Sequence, residues 1–201
     1  VSGDETESIV APLQEARRRG WHPLIVGEDV DRHSCAPSRA IRVNVSGIRY
    51  KPLEMFAHPK LLVRKTGLGI KAAVDETGAA TNQVVFHFIA RSAAPPGLLD
   101  YLEGVLCSRV LLAWHLKRQG ETEWRSHPYI TQYVLRRFPV PVPRSEREAA
   151  QAAAIAGAVR RRRRTSRHDS EEDLEVERLV AGMFGLSSED MEWVLSVLDA
   201  A

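Results

Sequence analysis

Residues 58–78, with the sequence HPKLLVRKTGLGIKAAVDETG, decide how the rest of this chain is interpreted, because four basic side chains and three glycines surround two short apolar runs. The two apolar runs predict strands at residues 60–65 and 70–74, and the glycine-containing segment 66–69 predicts the hairpin loop between them. The stretch holds no acid before Asp75 and no nucleophile beside a base. It therefore indicates a binding element rather than a catalytic one.

The basic side chains of this hairpin have two interpretations. Strand periodicity places Lys60 and Arg64 on one face and Lys65 on the other, and the loop is expected to bring Arg64, Lys65 and Lys71 together. Glycines in the loop would also let a phosphate approach backbone amides. In the alternative interpretation, the stretch is a solvated strand edge whose lysines prevent aggregation.

Charge is strongly segregated along the chain, although the net charge is only +2. Residues 32–118 contain thirteen Lys and Arg and five acids, and the segment 34–51, which includes the candidate phosphate contact Arg42, has no acid. Residues 169–201 contain ten acids and one arginine. Such segregation is typical of a body that faces a polyanion and a tail with a different role. With this basic flank included, phosphate binding and a solvated edge explain the hairpin about equally well.

Length and composition favour one domain, with or without an appendage: of 201 residues, 44% are apolar and 27% are charged. No apolar run approaches the ~18–20 residues that cross a bilayer, and no signal-like segment opens the chain. We therefore expect a cytoplasmic protein with reduced thiols at Cys35 and Cys107, which lack metal-ligand spacing. The chain begins at Val1 rather than methionine, which is compatible with a piece of a longer protein.

Periodicity predicts an α+β fold, with a β-rich body over residues 1–143 followed by a C-terminal α-helical hairpin over residues 144–201. QVVFHFI is β-branched and aromatic, as strands are. LLDYLEGVLCSRVLLAWHLKRQ has apolar residues at helical spacing and predicts one helix of about five turns before Gly120. In the helical hairpin, Ser170 and Ser187 are expected N-caps and Gly185 is an expected C-terminal cap.

The motifs that carry most enzymatic chemistry are missing from the sequence. It has no Gly-x-x-x-x-Gly-Lys-Ser/Thr phosphate loop, no His-Glu-x-x-His, no Gly-x-Ser-x-Gly and no Asn-Pro-Pro-Tyr. Its seven histidines are scattered, and its paired carboxylates lie in predicted turns or helix starts. We therefore expect no catalytic residue and no metal ligand in this chain.

Two further features each have competing interpretations. Five consecutive arginines at residues 160–164 would point all round a helix, so they either contact phosphates or pair with the acid-rich stretch that follows in an antiparallel hairpin. Asn82 and Gln83 end a turn before a strand. Amide side chains can bind adenine edges through paired hydrogen bonds, although residues of this kind usually serve only the turn.

Six segments of the sequence, taken in order, resemble a known family. They are PLIVGEDVDRH, FAHPKLLVRKTG, IKAAVDETGAATNQVVFHF, LLDYLEGVLCSRVLLAWH, HPYITQYVLRRFPVPVP and EVERLVAGMFGLSSEDMEWV. Over residues 20–199 the chain resembles the TaqI-like C-terminal specificity domain, the target recognition module of N6-adenine DNA methyltransferases and fused type II restriction–modification enzymes. No single segment is diagnostic, but the ordered set is specific.

The resemblance implies a phage-defence protein that binds double-stranded DNA in a sequence-specific way. Adenine-N6 methylation would then be performed by a catalytic domain, in cis or in trans, that binds S-adenosylmethionine and flips the base. The C-terminal helical hairpin would pack on that catalytic domain or act as a spacer. The expected DNA contacts are Lys60, Arg64, Lys65, Lys71 and Arg109 for phosphates, and Asn82 and Gln83 for bases.

A hypothesis from a different class competes with this one. The chain would be a protein-interaction domain that docks a partner through its C-terminal helical hairpin, while the β-rich body serves as scaffold. A complete nuclease ranks last, because the sequence shows no acid–acid–lysine cluster.

Overall fold

The fold of the chain is α+β, as its periodicity predicts. A computed structural model describes residues 8–48, 50–67, 69–119, 129–165 and 171–200. Strands come first: β1 Val10–Pro12, β2 Trp21–Ile25, β3 Val30–Asp31, β4 Ser34–Cys35, β5 Arg39–Arg42, β6 Lys60–Arg64, β7 Ala72–Asp75, β8 Ala80–Thr81 and β9 Val85–Ile89. Helices follow: α1 Leu98–Leu106, α2 Arg109–Gln119, α3 Gln132–Leu135, α4 Glu146–Arg163, α5 Glu171–Met183 and α6 Ser188–Ala200.

The predicted β6–β7 hairpin is confirmed, and β6 is the middle strand of a three-stranded antiparallel sheet in the order β7-β6-β9. Leu61 and Val63 face the main core beneath the helices, whereas Leu62 packs on the opposite face in a second cluster that includes Ile25 and Val30. The interpretation of β6 as a solvated edge is therefore wrong, because strands and core cover it on every side. A separate sheet has the order β1-β5-β2-β8, and β3 pairs with β4.

The position of β6 also corrects the expected role of Lys60. This side chain is completely buried, pairs with the buried carboxylate of Asp75 on β7, and donates a hydrogen bond to the carbonyl of Phe56 at 2.9 Å. Lys60 lies directly opposite Asp75 in the register of the two strands. A phosphate cannot reach a fully enclosed ammonium group, so the prediction that Lys60 contacts DNA is wrong.

Joint replacement of this pair tests the correction. We expect Lys60→Met with Asp75→Asn to change the free energy of unfolding by less than about 2 kcal/mol, because replacing both members of a buried ion pair is often close to neutral. We also expect the affinity for DNA to stay within about twofold, since the pair lies inside the sheet. Urea titration and DNA binding at fixed salt measure the two quantities. A large selective loss of DNA affinity in a folded variant would restore Lys60 as a contact.

The predicted long helix is broken in two at Cys107 and Ser108. The Ser108 hydroxyl accepts a hydrogen bond from the Leu111 amide at 3.2 Å, as an N-cap does. Upstream of this break, α1 packs closely on α4. A Cβ built at Gly104 would lie 2.7 Å from Ile155 Cγ2, so any larger residue there would force the two helices apart.

The arginine run at residues 160–164 binds acids of the protein itself. Arg160 and Arg163 pair with Asp100 on α1, and Arg163 also reaches Glu103. The next helix supplies the other partners, because Arg161 pairs with Glu175 and Arg162 with Asp173 on α5. Pairing within the helical hairpin is thus confirmed for two arginines, and the run also joins the hairpin to α1.

A buried ionic cluster extends this network into the β-rich body. Arg32, which follows β3, donates to both carboxylate oxygens of Asp173 at 2.7 Å and also pairs with Glu177. On the other side, Glu103 accepts from the Val74 amide at 2.6 Å and contacts His33 Nδ1 at 3.0 Å. The two sets of contacts hold the sheet and the helices together.

His33 should make the folded state sensitive to mild acid. Its burial lowers the pKa of this imidazole from the usual 6.5, although Glu103 opposes the shift. The contribution of neutral His33 to the free energy of unfolding is therefore fully present at pH values above its ordinary pKa of 6.5. It is lost as the pH falls from there towards the lower pKa of the folded state, because the unfolded chain takes up a proton before the folded chain does. Burial lowers the pKa of His87 and His115 as well, so they add to the same slope.

We expect His33→Asn to reduce the slope of unfolding free energy against pH, between about pH 6.5 and 5, by up to about 1.4 kcal/mol per pH unit. Asparagine suits this position because the backbone of His33 has φ +60°. Urea titrations at several pH values measure the slope, and His58→Asn, at an exposed histidine, is the matched control. An unchanged slope in His33→Asn would contradict the assignment.

Both cysteines are free thiols beside β7. Cys107 is buried and Cys35 half-buried, and their sulfurs donate to the carbonyls of Ala72 and Val74 respectively. Burial raises the pKa of each thiol to about 12. Both thiols are therefore protonated and unreactive at neutral pH.

Two of the three caps predicted for the C-terminal helices are confirmed. Ser187 accepts from the Asp190 amide at 3.2 Å at the start of α6, and Gly185 has φ +72° after α5. The other expected cap, Ser170, lies outside the described residues. None of the described helices has both the length and the apolar character needed to cross a membrane.

Candidate nucleic-acid interface

The end of β6 meets a segment that is distant in sequence. The Lys65 carbonyl accepts a hydrogen bond from the Ile130 amide at 2.7 Å, and Thr66 forms an antiparallel bridge with Tyr129. Ile130 is buried, which fixes this contact to the core. The segment that begins at Tyr129 therefore runs antiparallel to the start of the hairpin loop.

The Lys65 side chain connects the loop to the strand on its other side. Its ammonium group donates to the Gln83 carbonyl and lies 4.4 Å from the centroid of the Phe86 ring. Partial burial, with the positive charge of Lys51 nearby, lowers the pKa of Lys65 from its ordinary value. The cation is thus held in place while part of its surface faces solvent.

The short helix α3 carries an exposed tyrosine, and two exposed arginines directly follow its last residue. The Thr131 hydroxyl caps it by accepting from the Val134 amide at 3.2 Å. Tyr133 is 63% exposed, and the Arg137 guanidinium lies 4.0 Å from the centroid of its ring. Arg136 is exposed beside them. Just beyond, the buried Phe138 packs edge-on against Trp114 and His115, which anchors the segment.

These contacts define what we call the basic–aromatic surface. Its residues are Lys65, Gln83, Tyr129, Tyr133, Arg136 and Arg137. The two sequence segments that contribute most of it, residues 77–99 and 125–145, contain no acid. Cations of this kind neutralise phosphates, amides form hydrogen bonds with base edges, and exposed aromatic rings stack on bases.

Two of the predicted DNA contacts, Arg64 and Asn82, lie beside this surface, and their side chains contact the protein itself. The Arg64 guanidinium lies beside Gly67, and its Nε is buried without a hydrogen-bond partner among the described residues. The Asn82 side chain accepts from the Val84 amide at 3.3 Å, as a turn residue does. The Gln83 side chain, in contrast, is exposed.

The remaining predicted contacts lie elsewhere. Lys71 is adjacent to Arg64 along the hairpin, but its ammonium pairs with Asp31 at 3.2 Å rather than joining Lys65. Together with Arg109 it lines a cleft of about 330 Å³, whose apolar wall includes Leu112. Arg42 is exposed on the separate four-stranded sheet. The expected cluster of Arg64, Lys65 and Lys71 is therefore divided between two places.

Sequence reasoning missed four members of the surface: Tyr129, Tyr133, Arg136 and Arg137. The pattern YITQYVLRRF interleaves aromatic and basic residues and contains no acid, which is typical of nucleic-acid contact. Sequence alone does not reveal that this segment lies beside Lys65, because the bridge between Thr66 and Tyr129 joins distant parts of the chain.

The profile of the TaqI-like C-terminal specificity domain matches residues 22–140 of this chain. The match covers more than half of the sequence, and it includes every residue of the basic–aromatic surface. The chain therefore belongs to the TaqI-like C-terminal specificity domain family. A search of curated proteins found no match.

Proposed function

We propose that this chain is the part of a DNA adenine-N6 methyltransferase, or of a restriction–modification protein, that binds duplex DNA and selects its target sequence. The observation that supports this proposal is the basic–aromatic surface within a member of a specificity-domain family. Cations, an exposed amide and exposed rings come from three segments that are distant in sequence, and the two segments that supply most of them contain no acid. That combination suits a polyanion whose bases must be distinguished.

Each residue type has a distinct role in this proposal. Lys65, Arg136 and Arg137 contact phosphates and set the register of the protein on the duplex, whereas Gln83 contacts a base edge. Lys71 and Arg109 form a second positive group around the cleft, and Arg42 is a further candidate on the other sheet. These outer groups would contact phosphates beyond the target sequence.

Methyl transfer belongs to a different domain in this proposal. A catalytic domain, either in the same protein or in a partner chain, would bind S-adenosylmethionine and act on the adenine, while this chain contributes no catalytic residue. The assembly would work in the cytoplasm in defence against phage DNA.

A second function, docking of a partner protein through the helical hairpin, is favoured by one observation. Two large apolar side chains of the hairpin are exposed, Trp193 on α6 by 57% and Leu174 on α5 by 52%. Exposed apolar groups of this size occur at protein interfaces. Docking of this kind is compatible with DNA binding by the body, since the two functions use different surfaces.

Fluorescence anisotropy with a pool of mixed-sequence duplexes tests DNA binding. We expect the purified chain to bind at low salt and to lose affinity as salt rises, with a log–log slope of about −0.9 for each phosphate that it neutralises. Three cations on the basic–aromatic surface predict a slope of about −2.7 or steeper. Absence of binding at low salt would contradict the proposed function and leave docking by the hairpin as the better hypothesis.

A further inference from the structure

Tyr133 is the most exposed aromatic ring within the described part of the chain, and it contributes little to the core. Buried aromatic residues of this protein behave differently: Tyr101 is almost completely enclosed and donates its hydroxyl hydrogen to the Pro141 carbonyl at 2.6 Å. A ring that is 63% exposed gains little from the hydrophobic effect. The ring is therefore accessible to a ligand.

Arg137 covers one face of that ring. The guanidinium carbon lies 4.0 Å from the ring centroid, which is within the range of a cation–π contact. This contact restrains the ring and leaves most of the remaining surface open to solvent.

The support beneath the ring is rigid. Thr131 caps the first turn of α3, while Ile130 before the helix and Phe138 after it are both buried. The pairing of Ile130 with Lys65 connects this support to the middle strand of the sheet. A preorganised ring of this kind loses little conformational freedom when it binds a ligand.

A flat ring with one open face fits the face of a nucleobase. In a regular duplex both faces of each base are covered by the neighbouring base pairs, so such a ring can stack only on a base that has left the stack. We propose that Tyr133, held by Arg137, is a stacking platform for an unstacked base of bound duplex DNA. This inference rests on the proposed function and adds a substrate feature to it, a preference for duplexes in which one base is already displaced.

Competition between duplexes of the same mixed sequence tests the platform. One duplex is fully paired, and the other carries a single bulged 2-aminopurine, an adenine analogue whose fluorescence reports stacking. We expect the full chain to bind the bulged duplex about five- to tenfold more tightly and to change the probe's fluorescence. Tyr133→Ala should remove the preference and the change in fluorescence, so that the two duplexes bind alike, whereas Tyr133→Phe should retain both effects.

Trp193→Ala is the matched control, because it removes an exposed ring from α6, outside the basic–aromatic surface. It should retain the wild-type preference. Equal binding of both duplexes by the wild-type chain, or a preference that survives in Tyr133→Ala, would overturn the platform and leave the proposed function intact. Single strands bound as tightly as the bulged duplex would overturn it too, and no duplex binding at low salt would overturn the function itself.

Discussion

Replacement of Lys65, Arg136 and Arg137 by glutamine is expected to lower the affinity of the chain for duplex DNA by roughly 100-fold at moderate salt. The same variant should flatten the log–log dependence of affinity on salt by about 2.7, because each lost phosphate contact removes about 0.9 from the slope. Glutamine retains hydrogen-bonding capacity and much of the side-chain length. The change therefore isolates the positive charge.

The basis of this expectation is the position of the three cations. Lys65 is held between Gln83 and Phe86, and Arg136 and Arg137 are exposed directly after α3, the helix that follows the Tyr129 bridge. Removal of a cation that contacts a phosphate lowers the affinity for all DNA sequences by about the same factor. We therefore expect the loss to be nearly equal for different duplexes.

A variant with the same change in charge provides the control. Arg17, Arg18 and Arg19 are exposed and lie before the region matched by the family profile. Their joint replacement by glutamine should change the salt slope by less than about 1. Equal losses in the two triple variants would show that binding depends on net charge alone and would contradict a localised interface.

Asp173→Ala is expected to destabilise the folded chain by about 3–5 kcal/mol, the usual cost of removing one partner from a buried ion pair. Its carboxylate is fully buried and accepts hydrogen bonds from Arg32 at 2.7 Å and from Arg162 at 3.0 Å. Removal leaves two guanidinium groups short of their common partner. Arg162 is also almost completely buried, so water cannot replace the carboxylate.

The protonation behaviour of Asp173 agrees with this role. Burial on its own would raise the pKa of the carboxyl group, but the hydrogen bonds and charges of Arg32 and Arg162 outweigh it and lower the pKa below its usual range. The stabilisation is therefore present above about pH 4 and is lost as the pH falls through the lower, folded-state value.

Urea titration of Asp173→Ala measures this effect, with Glu175→Ala as the control. Glu175 pairs with Arg161 at 2.8 Å on the exposed side of the same helices, and its loss should cost less than about 1 kcal/mol. A cost for Asp173→Ala as small as that of the control would show that the buried cluster does not hold the hairpin to the body.

Local patterns predicted the elements of this fold well. Two short apolar runs around a glycine loop predicted the β6–β7 hairpin, and β-branched and aromatic residues predicted β9. Cap residues at Gly185 and Ser187 marked the turn between the last two helices. Such features depend on neighbouring residues, so the sequence displays them directly.

Contacts between distant segments were not predictable in the same way. A short apolar run does not show whether a basic residue at its end is exposed or pairs with an acid on the neighbouring strand, so the burial of Lys60 against Asp75 is not evident from the sequence. The break at Ser108 lies within a continuous apolar pattern. The basic–aromatic surface depends on the bridge between Thr66 and Tyr129, and no local rule indicates that pairing.

The arginine run at residues 160–164 has a practical consequence for handling the protein. Arg162 is almost completely enclosed and Arg163 is four-fifths covered, so dissolved ions screen their pairs with Asp173 and Glu103 only weakly. Phosphate contacts on an exposed surface are screened strongly. Concentrated salt should therefore elute the chain from DNA while leaving it folded, because the charges that bind the ligand and the charges that join the helices are in different electrostatic environments.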